Sequence, residues 1–386
     1  VLDFSAFERP RLRVIAATPG LQPGGAEMWL STLVKRSQIV KYTCIVSATW
    51  VDDHQFSVGG VPVLVSGDST NAQETAEKVS AKILEAVKTH GADLVFYWGF
   101  IPMPLTQLDV PLVHVSHSSG VELTDWHKAH MATYGNSRAN FLAAVSQSSA
   151  QFFNEEIRER EKVFVVHNGS DVERVKVFIG RDEQRKLWGI PEDAKVMLFL
   201  GRFSTEKNPM GAMDAMQHLP DDWYAVFYGW GILQGPLFDR AKESSFAKRV
   251  LFPQARLSGL GDVYAAVDVV VIPSSTEAFP LVLIEAWQAG VPVVCSEFAT
   301  LKEIESDYAR GNELAWHVPC PPTPVELAAA VVSVGEGDDR ITMAQQIAEN
   351  SFSATAMVGR WERLFYHCVS EWHQAALKGL VHRVMN

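Results

Sequence analysis

Glu277 and Glu285 stand with seven residues between them in the run Pro273-Ser-Ser-Thr-Glu-Ala-Phe-Pro-Leu-Val-Leu-Ile-Glu-Ala-Trp-Gln-Ala-Gly, directly after the apolar stretch Asp268-Val-Val-Val-Ile. A buried strand ending at Pro273, a polar turn and a helix from about Pro280 put Glu277 just before a helix N-terminus and Glu285 inside the helix. Backbone N–H groups at such a helix start suit an anionic ligand. A turn cap and a helix-face carboxylate would leave the same trace, so partners elsewhere must decide. One set is Gly201-Arg202-Phe-Ser-Thr-Glu-Lys207-Asn208-Pro209, again at the end of an apolar run. Arg202 offers a planar fork and Lys207 a point charge, which together could neutralise a diphosphate. A solvated loop leading to a helix start at Asn208-Pro209 is the plainer alternative. Gly229 in Tyr228-Gly229-Trp-Gly231, and the pair Gly24 and Gly25 in Thr18-Pro-Gly-Leu-Gln-Pro-Gly24-Gly25-Ala-Glu27, are further places where backbone can come close to a ligand.

These loops need a scaffold, and the chain supplies a repeating one. Short β-branched runs alternate with helix-length amphipathic segments, the pattern of parallel sheets covered by helices. A first series comprises Arg13–Ala17, Tyr42–Ser47, Val61–Val65, Asp93–Tyr97, Pro111–Val115 and Lys162–Val166. A second restarts at Lys195–Leu200 and continues through Tyr224–Tyr228, Val250–Phe252, Asp268–Ile272 and Val291–Cys295. The polar stretch from Asp171 to Asp193 reads as the linker, after the turn-rich His167-Asn-Gly-Ser-Asp. The expected organisation is a domain over 1–172 and a domain over 173–354, with a helix over about 355–386 whose Trp361-Glu-Arg-Leu-Phe-Tyr stripe packs back on the first. Strand C-termini of parallel sheets are where ligands bind in such folds.

Composition narrows the function. With 386 residues, 47% hydrophobic and 20% charged, there is apolar material for two cores. A net charge of -11 argues against non-specific nucleic-acid binding, which needs a basic stripe. Cys44, Cys295, Cys320 and Cys368 lack metal-ligand spacing, so no metal site is expected and a reducing compartment is the default. No apolar stretch is long enough to span a bilayer, no basic amphipathic helix stands out, and the opening residues lack a signal-peptide profile. The expectation is a cytoplasmic protein, at most peripheral to the inner face of a membrane. Valine at position 1 is compatible with a processed chain or with a piece of a longer polypeptide.

Taken together, Gly24-Gly25-Ala26-Glu27, His117, Asn168-Gly169-Ser-Asp171, Gly201-Arg202 with Lys207-Asn208-Pro209, and Glu277 through Glu285 followed by Ala289-Gly290-Val291-Pro292 resemble the retaining glycosyltransferases of family 4. The resemblance covers nearly the whole length. It implies an α/β fold of GT-B type, two Rossmann-like domains with parallel sheets facing across a deep cleft. It further implies a nucleotide-diphosphate-sugar donor, UDP before GDP or ADP, and a carbohydrate or lipid-linked acceptor. Arg202 and Lys207 would hold the diphosphate, Glu277 the donor-sugar hydroxyls and Glu285 the ribose. Gly24 and Gly25 would approach the phosphates, and His117 would lie near the reacting sugar; its rival His114 sits inside a strand, where burial is expected. Gly201, Gly229, Ala278, Phe279, Pro280 and Leu281 complete the expected donor site. Relatives often carry glycine where this chain has Ala278 and Pro280, and proline supplies no N–H to a ligand. The absence of an Asp-x-Asp motif fits a reaction without metal or other cofactor, the leaving diphosphate being neutralised by side chains and helix N-termini.

The implied reaction is sugar transfer with the anomeric configuration kept, by a front-face route. A non-hydrolysing nucleotide-sugar epimerase and a catalytically silent nucleotide-sugar-binding subunit are the alternatives. The acceptor would be shaped by loops such as Gly99–Gln107 and Ser118–Asp125, where Trp98, Phe100 and Trp126, together with Trp50, could stack on a sugar or merely pack.

Overall fold

The computed structural model describes residues 11–21, 24–50, 58–67, 72–99, 108–118, 140–153, 163–256, 259–335 and 337–384. The chain divides into two compact units, one of Val1–Asn168 with Ala354–Asn386 and one of Gly169–Ser353.

Among the described residues the first unit holds seven strands, β1 (Leu12–Leu21), β2 (Val40–Trp50), β3 (Val63–Val65), β4 (Leu94–Trp98), β5 (Leu112–Ser116), β6 (Phe141–Ala144) and β7 (Val163–Val165). They form one sheet in the order β3-β2-β1-β4-β5-β6-β7, every pair parallel. Its described residues include the helices α1 (Gly25–Arg36), α2 (Ala72–His90), the short α3 (Gln147–Ala150) and the long last helix Ala354–Val384. β4 and β5 are buried along their whole length, as strands covered on both faces must be. One face is filled by Ile15, Val46, Val79, Ile83, Val95 and Tyr97. The last helix brings the fully buried Trp361 and Phe365 against Trp29 and Phe96, at ring separations of 4.8 and 5.2 Å. Glu362, one residue on, accepts at Oε1 from Ser37 Oγ and the amides of Gln38 and Ile39, at 3.0, 3.0 and 3.1 Å, and so ties down the chain leaving α1.

The second unit contains β8 (Lys195–Leu200), β9 (Trp223–Tyr228), β10 (Val250–Leu251), β11 (Val269–Ile272), β12 (Val293–Ser296) and β13 (Trp316–Val318), all parallel in the order β10-β9-β8-β11-β12-β13. Around them lie α4 (Arg181–Trp188), α5 (Pro209–Ala215), α6 (Gln234–Glu243), α7 (Leu260–Ala265), α8 (Leu281–Gln288), α9 (Ala299–Ala309), α10 (Pro324–Ser333) and α11 (Asp339–Ser351). Met197, Phe199, Phe203, Met213, Met216 and Phe227 fill the core on one face of this sheet.

Two corrections follow. The stretch 171–193, read as a linker from its polarity, belongs to the second unit: Asp171 caps a 3-10 turn over Val172–Val175, and α4 follows. The first boundary therefore falls at 168/169 instead of 172/173. Strands β6 and β13 had no counterpart among the expected runs. Both are short, and β6 offers only Phe-Leu-Ala-Ala, without a β-branched residue.

Candidate functional site

In the second sheet β8 lies between β9 and β11, so the connections leaving β8 and β11 diverge to opposite sides. A parallel sheet opens a crevice at the carboxyl ends of such a strand pair. Three of the residues expected to bind a ligand, Arg202, Lys207 and Glu277, lie there. β8 runs out into Gly201 and Arg202, and a 3-10 turn over Thr205–Lys207 leads to Asn208. Asn208 adopts a left-handed backbone and accepts from the Gly211 amide, so that Pro209 opens α5 at the position where its missing N–H costs nothing. β11 runs out into Pro273 and the loop carrying Glu277, and α8 opens at Leu281 with Pro280 as its N-cap.

Lys207 and Glu277 meet directly, Nζ to Oε2 at 2.6 Å, with side chains 23% and 8% exposed. The other carboxylate oxygen of Glu277 accepts from the buried Ser274 hydroxyl at 2.7 Å. Thr300 Oγ1 donates to the Glu277 carbonyl at 2.8 Å and to that of Ala278 at 3.3 Å, which fixes the backbone of the turn. Arg202 is exposed and lies 3.4 Å from Glu206 Oε1. Burial opposes ionisation of Glu206, but the Ser204 hydroxyl, Arg202 and Lys207 outweigh it and hold the carboxyl below its usual range. The Ser275 amide donates to the Glu206 carbonyl at 2.8 Å, joining the β8 loop to the β11 loop. Two cations thus face two carboxylates, and the cluster neutralises itself.

Gly201 has φ of 149°, a region that excludes side chains, and nothing lies within 4 Å of where a Cβ would stand. Gly229, expected to admit a ligand, makes its close approach to the chain instead. A Cβ there would stand 1.8 Å from the Gly201 carbonyl oxygen, because the chain leaving β9 runs against the chain leaving its parallel neighbour β8. Phe279 is buried, and its ring packs 5.7 Å from that of Phe352.

Glu285 shares no hydrogen-bond partner with Glu277 among the described residues. It is buried in a cluster of its own, accepting from Arg174 Nε at 2.6 Å and Ser170 Oγ at 3.2 Å on one oxygen and from Tyr264 Oη at 3.1 Å on the other. Burial pushes the Tyr264 phenol well up, and the Glu285 charge pushes it further. At Arg174, burial works against the charge and the Glu285 contact more than restores it. A ribose diol would have to share this carboxylate with donors already in place.

In the first unit Gly24 is the N-cap of α1, with an extended backbone, and Gly25 its first residue, so the amides of the opening turn follow the loop from β1. One turn on, Trp29 packs against the His117 ring at 4.4 Å, and Trp98 lies 6.3 Å from His117. Burial among these rings pulls the His117 imidazole down to about 3, so it is neutral, and its Nε2 has no hydrogen-bond partner among the described residues. His114 is fully buried within β5 and stacked on Tyr97 at 4.4 Å. Trp98 belongs to the core. Residues 100–107 and 119–139, with Phe100 and Trp126, and the side chain of Trp50 lie outside the described residues.

The model of the glycosyltransferase family 4 matches residues 23–174, and that of the glycosyl transferases group 1 matches residues 180–352. The chain belongs to glycosyltransferase family 4. Among curated relatives of this family 4 chain, the D-inositol 3-phosphate glycosyltransferase of Mycolicibacterium smegmatis is 29% identical over 227 residues, 54% of this chain and 51% of that one. The putative glycosyltransferase EpsF of Bacillus subtilis is 26% identical over 319 residues, 75% of this chain and 80% of that one. The chain thus spans about half the length of the inositol phosphate relatives it matches. Anabaena HepE, solved in complex with UDP and glucose, superposes with a TM-score of 0.72 at 19% identity over 92% of this chain and all of that one. Sucrose-phosphate synthase from Thermosynechococcus elongatus does so with 0.77 at 17% identity, over 94% and 100%. These neighbours carry the GT-B fold, and the family 4 chain has its two parallel α/β sheets.

Sequence reasoning passed over Ser274, Thr300, Glu206, Arg174 and Tyr264. Ser274 alone carried a local signal, since Ser-x-x-Glu is a spacing at which a hydroxyl and a carboxylate meet around a turn. Tyr264, Thr300 and Arg174 act across 21, 23 and 111 residues of chain, and nothing local marks them.

Proposed function

We propose that the protein is a retaining glycosyltransferase that moves a sugar from a nucleotide-diphosphate donor to an acceptor hydroxyl on a glycan, a lipid-linked saccharide or a small molecule. The observation that carries this reading is the 2.6 Å pairing of Lys207 with Glu277 at the switch point of the second sheet, with Arg202 at its rim. A diphosphate entering there would compete with Glu277 and Glu206 for the two cations. It would draw Lys207 and Arg202 onto its oxygens and free Glu277 to accept hydroxyls of the sugar.

In the front-face route the anomeric carbon–oxygen bond breaks with its electron pair left on the phosphate oxygen. The acceptor oxygen bonds to the same face, and its proton passes to that phosphate oxygen. Charge develops on the leaving diphosphate, where Lys207 and Arg202 act more strongly in the transition state than in the ground state. This role needs no metal. His117, being neutral, serves as a hydrogen-bonding group and not as an acid. UDP is the preferred nucleotide, since the related fold of Anabaena HepE was solved with UDP and with UDP-glucose. No helix among the described residues is long and apolar enough to cross a membrane. Cys320 is an exposed free thiol, which favours the cytoplasm, with at most peripheral contact with a bilayer.

A thermal-shift panel of UDP, GDP, ADP and their sugars tests the donor class, because a specific ligand stabilises the fold by mass action. Nuclear magnetic resonance of the product then reads the anomeric configuration. Absence of any shift, or an inverted product, overturns the proposal.

A further inference from the structure

We propose that Ser274 is a positioning residue, whose hydroxyl keeps the Glu277 carboxylate aimed at the donor sugar after the diphosphate has drawn Lys207 away. The inference rests on the donor-site reading above. Glu277 has two side-chain supports of different permanence. Lys207 reaches one oxygen by a long flexible stem, is 23% exposed, and is the group a diphosphate would claim. Ser274 reaches the other oxygen at 2.7 Å from a position 2% exposed, immediately after Pro273 at the end of β11. Its side chain has a single rotatable bond to the hydroxyl, and solvent offers that hydroxyl no competing partner. Thr300 holds the carbonyls of Glu277 and Ala278 but leaves the carboxylate free to rotate. Once Lys207 turns to phosphate, the Ser274 hydrogen bond is the one that still sets the direction of the carboxylate. It also leaves Oε2, the oxygen released by Lys207, as the face presented to sugar hydroxyls.

The test is calorimetric titration of the full chain with UDP and UDP-glucose, GDP and GDP-mannose, and ADP and ADP-glucose, carrying forward the pair that wild type binds most tightly. In Ser274→Ala the nucleoside diphosphate should bind within about twofold of wild type. The affinity for the nucleotide sugar relative to the diphosphate should fall on the order of tenfold, the scale of a hydrogen bond to a charged group. Ser274→Cys, close in shape but a weak donor, should fall between the two and serves if the alanine variant does not fold. In a Glu277→Gln background, adding Ser274→Ala should change the ratio no further. Equal losses for diphosphate and nucleotide sugar would show a merely structural role, and an unchanged ratio or additive effects would equally overturn the inference. If wild type binds none of the six ligands, the donor-site reading itself fails and takes this inference with it.

Discussion

Replacing Lys207 by methionine keeps the stem and removes the charge, so it separates what the Lys207–Glu277 pair does for stability from what it does for catalysis. The pair is short, at 2.6 Å, and lies between the surface and the interior, the side chains being 23% and 8% exposed. Exposed pairs contribute about 0–1 kcal/mol, whereas breaking a fully buried pair costs about 3–5 kcal/mol because one charge is left uncompensated. Glu277 keeps its Ser274 donor, and a partly open site admits water, so a cost of about 2 kcal/mol follows. For a unit of this size that corresponds to a fall of roughly 4–8 °C in melting temperature. Adding Glu277→Gln removes the stranded charge, so the double variant should melt above Lys207→Met alone. Turnover should behave oppositely: Lys207→Met should lose on the order of a hundredfold, as loss of one transition-state donor does, and the second substitution should restore none of it. Differential scanning fluorimetry and steady-state kinetics on the four proteins check both arms. A Lys207→Met protein that melts with wild type would refute the pairing, and one that turns over normally would refute the role of Lys207 at the diphosphate.

Three further outcomes follow from other groups. His117, held near 3 by burial, stays neutral in the folded chain while the unfolded chain takes a proton below about 6.5. Its contribution is therefore full above that pH and erodes as pH falls toward 3. In melting curves between pH 4 and 7.5, wild type should gain stability relative to His117→Phe as pH rises to about 6.5, with a constant difference above it; a constant difference throughout would contradict the burial argument. His317 is shifted the other way, its imidazole raised by the 2.8 Å hydrogen bond to Glu305. That contribution is full below about 6.5 and is lost as pH rises through the higher folded value. His317→Gln should accordingly melt below wild type at pH 6 and match it by pH 9, and a deficit that persists unchanged would tell against the ion pair. Glu362→Ala strands the Gln38 and Ile39 amides that its Oε1 accepts; a loss of about 2–4 kcal/mol in urea unfolding is expected, with partial recovery in Glu362→Gln. An alanine variant as stable as wild type would mean those amides are satisfied another way.

The alternation of apolar runs with amphipathic stretches was enough to expose two parallel α/β sheets, because strands buried on both faces must be apolar along their length. Strands of three or four residues such as β13 and β6 carry too little pattern for that logic. The misread linker shows a different limit. Asp171–Asp193 is polar, yet Arg185 within it is 3% exposed, its guanidinium spent on the carbonyls of Glu192, Ala194 and Ala266 and on the Asp268 carboxylate. Polarity signals exposure only when the partners are water, and here they are backbone oxygens brought in by folding.

The same limit governs the candidate site. Residue types and spacing single out two carboxylates and two cations as candidates, but do not say which of them a ligand would find free. That depends on partners far along the chain: Lys207 reaches Glu277 across 70 residues, and Arg174 reaches Glu285 across 111. The two glutamates look alike in sequence and differ in what surrounds them. Glu277 shares its charge with a partly exposed lysine that an anion can draw off, so a ligand can exchange into its place. Glu285 is enclosed by a nearly buried arginine, a phenol and a hydroxyl. Displacing those donors would leave buried groups unpaired, at a cost of about 1–3 kcal/mol each. On the proposed reading a ribose would use Glu285 only by adding to its network, whereas a diphosphate sugar would use Glu277 by replacing one member of it.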